Sequence, residues 1–435
     1  MNGSRLLRAF AHRNFRLYFF GQGVSLIGTW MQQVAISWVV WRLTSSPKWL
    51  GVVAFAGQIP ALLLSPIAGV LVDHWNRHRL LLLTQTLAML QAFALVFLAL
   101  AGVLTEWPMA ALSLFLGIVN AFDMTARQAF LTEMVASRED LANAIALNSS
   151  LVNATRLVGP ALAGLVLSLT GELVCFLVNG ISYLAVLAAL LAMRVAPRPL
   201  DRHRVPLVQG LREGFTYAFG FAPIRAILLL LALTSLMSMA YTVLLPVFAA
   251  QVLQGDAGTL GMLTAGAGLG ALIAAVALTA RRSVVGLGKW IALAPSLFGL
   301  GLIGFSFSRA LWVSAPLLAV VGFALMLQMA ASNTLLQTLT AEDKRGRVMS
   351  YYTMAFLGMA PLGSLLGGML ADVLGAPMVV RLAGACCIAG SLLFALQLPR
   401  LRALVRPLYV QMGILPEVTV AVQGASALNV PPERT

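Results

Sequence analysis

The chain has 435 residues, 60% of them hydrophobic and only 10% charged, with mean hydropathy +0.90 and a formal net charge of +14. Soluble domains carry about a quarter charged residues, so this composition excludes an ordinary soluble domain and indicates a membrane chain. The excess of base raises nucleic acid as a partner, and only its placement along the chain decides that question.

A bilayer core about 30 Å thick needs roughly 20 mostly apolar residues per spanning helix. Twelve stretches qualify: 15–41, 50–72, 80–103, 108–126, 141–168, 173–193, 224–248, 258–280, 289–308, 311–335, 350–371 and 376–398. They are longer than barrel strands and apolar on all sides, so they predict helices, an all-α membrane protein with twelve transmembrane helices. The first run is too long for a signal-peptide core and lacks a small-residue cleavage site, so it is read as a retained helix.

With the N-terminus inside, the inner segments hold Arg5, Arg8, Arg13 and Arg16; Arg77 and Arg79; Arg127 and Arg138; Arg194 through Arg225; Arg281, Arg282 and Lys289; Lys344, Arg345 and Arg347; and the arginines of the tail. The outer loops hold Arg42, Lys48, Arg309 and Arg381, and Arg156 falls inside a helix. This asymmetry predicts both termini in the cytoplasm of an inner (plasma) membrane protein. The basicity therefore reports insertion and contact with anionic membrane lipid, not a nucleic-acid groove.

The longest polar interval, 194–223, opens with Pro-rich and Arg-rich linker chemistry, and 205–219 reads as a short amphipathic helix on the inner surface. It divides the chain into a bundle of six helices over 1–193 and a second over 224–399, followed by a polar tail, 400–435, with no assigned role. The halves resemble each other: "AGLVLSLTG" at 163–171 aligns with "GGMLADVLG" at 367–375, which predicts parallel repeats and a site between them near the midplane.

No Walker A motif, HExxH or nucleophile elbow is present, so no enzyme and no nucleotide-driven pump is expected. "GAGLG" at 266–270 sits inside an apolar run without a preceding strand and reads as close helix packing. Cys175, Cys386 and Cys387 all fall in helices as small apolar packers; no disulfide, metal or cofactor is expected. The acceptor patterns at Asn148 and Asn153 lie within the fifth helix and are discounted.

The segment "GVLVDHWNRHRLLLLTQ", 69–85, concentrates charge between two apolar runs. Gly69, Asp73, Arg77 and Arg79 resemble the signature loop between helices 2 and 3 of the major facilitator superfamily, with His78 at a position where that family carries a base. "NATRLVGPALAG" resembles the helix-packing motif of its antiporters through Gly159, Pro160 and Gly164, although an earlier glycine is missing. "DMTARQAFLTEMV" (123–135) and "RGRVMSYYTMAFLGMAPLGSLLGG" (345–368) resemble the branch containing the enterobactin exporter and macrolide efflux permeases. The resemblance covers residues 10–399 and implies the major facilitator fold.

The resemblance implies that Asp73 faces the N-terminus of helix 11, near Ser350. Arg77 or Arg79 is expected to pair with Asp123, making with Gly69 and Arg127 a latch that closes the cytoplasmic side. Within the membrane an unpaired arginine costs roughly 2.5–3.5 kcal/mol on insertion scales, so Arg156 is expected to face a cavity or a partner such as Asp123 or Asn153. Trp30, Gln33, Gln58 and Asn120 in the first half, with Ser238, Tyr241 and Gln328 in the second, complete the expected substrate or proton pathway.

The expected function is a secondary active transporter: a proton-coupled exporter of a small, bulky or amphipathic molecule, siderophore-like or drug-like, working by alternating access as a monomer. An uncoupled facilitator or lysophospholipid flippase is the alternative within transport. A sensor or assembly partner that moves nothing is the alternative from another class.

Overall fold

The computed structural model describes residues 7–135, 137–195, 215–279, 284–342 and 344–412, without the side chains of Pro66, Val70, Asp73, Arg138, Thr279 and Gln411. Most of the expected surface helix at 205–219 lies outside the described residues; 215–220 is helical.

Twelve long helical segments run in chain order among the described residues. The first half contains α1 (Arg13–Thr44), α2 (Pro47–His74), α3 (Arg77–Leu100), α4 (Glu106–Phe130), α5 (Arg138–Thr170) and α6 (Glu172–Ala192). The second contains α7 (Ala222–Thr242), α8 (Ala257–Thr279), α9 (Leu287–Phe307), α10 (Leu311–Leu339), α11 (Arg345–Leu357 with Met359–Leu374, interrupted at Gly358) and α12 (Ala376–Gln411). After α7 the chain continues through Leu245–Val247 into a π-helical turn, Phe248–Val252.

Among the described residues, eleven helices are long and apolar enough to cross a membrane. The remaining one, α1, is 32 residues long but carries Arg13, Arg16, Gln22, Gln32 and Gln33, which lower its hydropathy. Buried polar side chains are tolerated in such a helix when neighbouring helices satisfy them. Several expected ends move, two of them into basic sequence: α12 continues through Pro399 and Pro407 to Gln411, past the expected end at 398, and α11 begins at Arg345 instead of 350. In both cases the added turns carry arginine, which hydropathy reads as loop although the helical hydrogen bonding continues.

The internal repeat has a structural basis. Gly171 (φ +81°) joins α5 to α6 and Gly375 (φ +80°) joins α11 to α12, 204 residues later. Both helix ends need a left-handed residue, and glycine adopts that conformation without a Cβ penalty.

Packing shows how the halves meet. Helix α5 lies along α8, and α2 lies along the second part of α11. At the end remote from the basic loops, one hydrophobic core unites both halves, with Met31, Val40, Leu50 and Leu167 beside Phe248, Leu260 and Ala371. At the basic end the core divides. Phe15, Leu81, Phe130 and Val186 form a cluster of the first half, and Ile224, Leu231, Leu336 and Phe394 form one of the second. The halves are therefore joined at one end and parted at the other.

The join depends on close backbone approach. A Cβ on Gly261 would lie 2.6 Å from the Cα of Gly164, and one on Gly368 would lie 2.8 Å from the Cα of Gly51. Gly164 and Gly368 are themselves 204 residues apart, so the repeat places one glycine at each of the two helix crossings. Ser46 donates to Asp372 across the same seam at 3.3 Å. Toward the basic end, a Cβ on Gly69 would meet nothing within 4 Å. There Asn120, Ser149, Thr334 and Thr353 are exposed although they lie on spanning helices. Polar side chains in such segments face water-filled openings in preference to lipid.

Candidate functional site

A cavity of about 330 Å³ lies between the halves. Trp30 and Gln33 of α1, Gln58 of α2 and Asn120 of α4 line it from the first half, and Thr242, Thr264 and Ser364 line it from the second. The Gln58 amide donates to the Ser364 hydroxyl at 3.3 Å, bridging the halves. None of its lining residues carries a formal charge. An apolar wall with scattered neutral hydrogen-bonding groups suits ligands that are bulky and amphipathic.

The residues expected from the second half sit elsewhere. Ser238, Tyr241 and Gln328 are almost fully buried. The Tyr241 ring packs against Phe298 at 5.9 Å, and the Gln328 amide donates to the carbonyl of Leu230 at 3.4 Å. The end of α7 and the residue that caps it instead present Met239, Thr242 and Val243 to the cavity. Successive helical residues are rotated by about 100°, so choosing Tyr241 over Thr242 selects the wrong face.

Arg156 lies near the middle of α5, and its guanidinium stands 5.7 Å from the centroid of the Trp30 ring. That is cation–π distance, and Trp30 itself lines the cavity. Neither expected polar partner engages it: the Asn153 amide donates to the carbonyl of Ser149 at 2.9 Å, and Asp123 pairs with Arg127. Beside it, Gly159 packs against the Cβ of Trp30, fixing the level at which α5 meets α1. Pro160 lies inside α5, and Gly164 forms part of the seam with α8.

The expected pairing of Arg77 or Arg79 with Asp123 does not occur. Asp123 is bound by Arg127 one turn along its own helix, by the Thr84 hydroxyl at 2.9 Å and by the Gln85 amide at 2.7 Å. Thr84 and Gln85 lie two turns deeper along α3 than Arg77, so Asp123 sits too far into the bundle for Arg77 to reach. Arg77 instead bonds Glu133, in the short 3-10 turn after α4, at 3.0 Å. Arg79 lies in the first turn of α3, where its backbone N–H donates to the Asn76 capping oxygen at 3.0 Å. Asp73 lies in the last turn of α2, and its expected contact with the start of α11 falls outside the described side chains.

A second polar chain was missed by sequence reasoning. Gln32 donates to Gln91 at 2.9 Å and accepts from Asn179 at 2.8 Å, tying α1 to α3 and α6. The Ser182 hydroxyl donates to the carbonyl of Asn179 at 2.8 Å. The signal was present: Gln32, Gln91 and Asn179 interrupt apolar runs near mid-helix, where polar groups require partners. Gln32 also lines the cavity, so this network holds part of its wall in place.

Residues 5–421 match the family described as transmembrane secretion effector. The staphyloferrin A transporter of Staphylococcus aureus is 28% identical over 87% of this chain and 94% of its own. The multidrug efflux pump Tap of Mycobacterium tuberculosis is 30% identical over 88% of this chain and 91% of its own. The enterobactin exporter EntS of Escherichia coli is also similar, at 27% identity over 82% of this chain and 85% of its own. Among solved structures, a bacterial homologue of the iron transporter ferroportin, in an inward-facing state, superposes with a TM-score of 0.67 at 17% identity over 89% of this chain and 98% of its own. With its apolar helices and its two-bundle packing, the chain is an integral multi-pass membrane protein that belongs to the transmembrane secretion effector family of the major facilitator superfamily.

Proposed function

We propose that the protein is a secondary active exporter of a small, bulky or amphipathic molecule, siderophore-like or drug-like, working by alternating access and driven by protons. One observation carries this reading: the central cavity lies between two bundles that are joined at one end and parted at the other. Rocking the bundles about that cavity would exchange which end is joined. Similarity to siderophore transporters and a drug efflux pump supports the substrate class. In this reading the bundles are 1–193 and 224–399, with 194–223 as linker and 400–435 as tail, although α7 begins at Ala222 and α12 runs on to Gln411.

The charge asymmetry supports an orientation with the basic end and both termini in the cytoplasm and the cavity opening inward. Cysteines substituted for Trp107 and Asp256 are expected to react with an impermeant thiol reagent in intact cells, and one substituted for Arg202 is expected to react only after permeabilisation. Reversed labelling would overturn the orientation. In this state the cytoplasmic latch around Asp73 and Arg77 would be released, and it would close in the opposite state.

Among the described residues Asp123 is the one fully buried acid, which makes it the proposed proton carrier. Arg156, stacked on the cavity-lining Trp30, is proposed to grip an anionic group of the substrate. In proteoliposomes, uptake of siderophore and amphipathic drug candidates is expected to depend on an imposed pH gradient. Arg156→Gln should weaken apparent affinity for an anionic substrate about tenfold, as expected for losing one charge-assisted contact, while leaving gradient dependence intact. Transport indifferent to the gradient would replace proton coupling with uncoupled facilitation. Absence of transport for every candidate would favour the sensor reading.

A further inference from the structure

A second cavity, about 530 Å³, lies away from the central one, at the basic end of the second half. It is a groove between the first turns of α7 and α9, the last turns of α10 and the extension of α12 beyond its apolar run. Ile227, Leu335 and Phe394 are among the apolar side chains of its floor. Lys289, Arg402 and Arg406 form its rim. Arg402 and Arg406 lie one turn apart on the same face of α12, and Lys289 faces them from α9. All three are exposed, no acid lines the groove, and none of the three makes an ion pair among the described residues. Trp290 and Tyr409, side chains suited to a membrane–water boundary, also line it.

We propose that this groove is a binding site for an anionic phospholipid, with an acyl chain along the apolar floor and the headgroup phosphate between Lys289, Arg402 and Arg406. The chemistry is complementary at both ends. The floor offers aliphatic and aromatic surface to a chain, and the rim offers converging cations to a phosphate lacking a neutralising amine. Basic pockets between spanning helices suit such headgroups. A soluble anion would have no use for the floor, and a neutral lipid would leave three cations unmatched. The inner leaflet follows from the proposed orientation, whereas the ligand chemistry rests on the groove alone.

The test uses the full chain purified in detergent. Brominated phosphatidylglycerol is titrated while tryptophan emission is followed, with Trp290→Phe isolating the residue at the groove. Saturable quenching is expected, carried by Trp290, with brominated phosphatidylcholine at least tenfold weaker. The triple variant Lys289→Gln, Arg402→Gln and Arg406→Gln should bind about a hundredfold more weakly, since each base near an anionic headgroup is worth about a factor of five. These exposed side chains are not needed for packing, and circular dichroism verifies that the variant is folded. Equal quenching by the two lipids, or quenching unchanged in the triple variant, would overturn the proposal. So would full competition by millimolar inorganic phosphate, which would mark a simple anion site. Lipid binding without transport in proteoliposomes would reject the exporter reading and leave this one standing.

Discussion

Gly261→Val is expected to reduce transport to below a tenth of the wild-type rate without preventing insertion. A Cβ at Gly261 would lie 2.6 Å from the Cα of Gly164 and 2.8 Å from the carbonyl oxygen of Pro160. Both neighbours are backbone, so neither can rotate away, and the two helices must part. Overpacking a tight contact costs about 1–3 kcal/mol. In alternating access that cost falls only on the state whose halves are joined at this seam. The population would shift about ten- to a hundredfold toward the opposite state. A second readout separates this from misfolding. Thr264, one turn along α8 and lining the cavity, would become reactive from outside when replaced by cysteine in the Gly261→Val background. Wild-type transport with valine at 261 would mean that the seam never has to close. Gly368→Val, at the other of the two helix crossings, should behave alike, because a Cβ there would lie 2.6 Å from the carbonyl oxygen of Pro47.

Asp123→Asn is expected to destabilise the protein by about 3–5 kcal/mol, the usual consequence of removing one partner of a buried ion pair. Asp123 is 3% exposed, and the side chain of its partner Arg127 is 23% exposed. Neutralising the acid leaves the guanidinium in a low-dielectric setting with only neutral neighbours. Arg127→Gln should have a cost of the same kind, because it strands the carboxylate. The double variant Asp123→Asn with Arg127→Gln should recover most of the lost stability, since two neutral amides can hydrogen-bond where a lone charge cannot be satisfied. Thermal unfolding in detergent measures this coupling as a double-mutant cycle. The same double variant tests the proposed proton role. It should remain folded yet lose the response of transport to a pH gradient. A folded double variant that still follows the gradient would show that Asp123 is a structural ion and not the carrier.

The sequence by itself determined the number, type and approximate ends of the helices, because desolvating a backbone in a bilayer forces it into helix wherever about 20 apolar residues run together. The glycine spacing between positions 171 and 375 was equally legible, because a helix-ending glycine is a local feature. Trp30, Gln33, Gln58 and Asn120 were legible as cavity residues, because polar or amphipathic groups in apolar runs must face water, ligand or a partner. The tertiary structure alone decided which helix face each half turns inward. A difference of one residue separates Thr242, at the cavity, from Tyr241, in the packing of the second half, and hydropathy cannot resolve it where all faces are apolar. It decided the charge pairing as well. Sequence proximity to the inner ends of α3 and α4 put Arg77 with Asp123. The depth of Asp123, beside Thr84 and Gln85, gave that acid to Arg127 and left Arg77 to Glu133. Pairing of charges depends on level along the helix axis, and that level is set only when the helices pack.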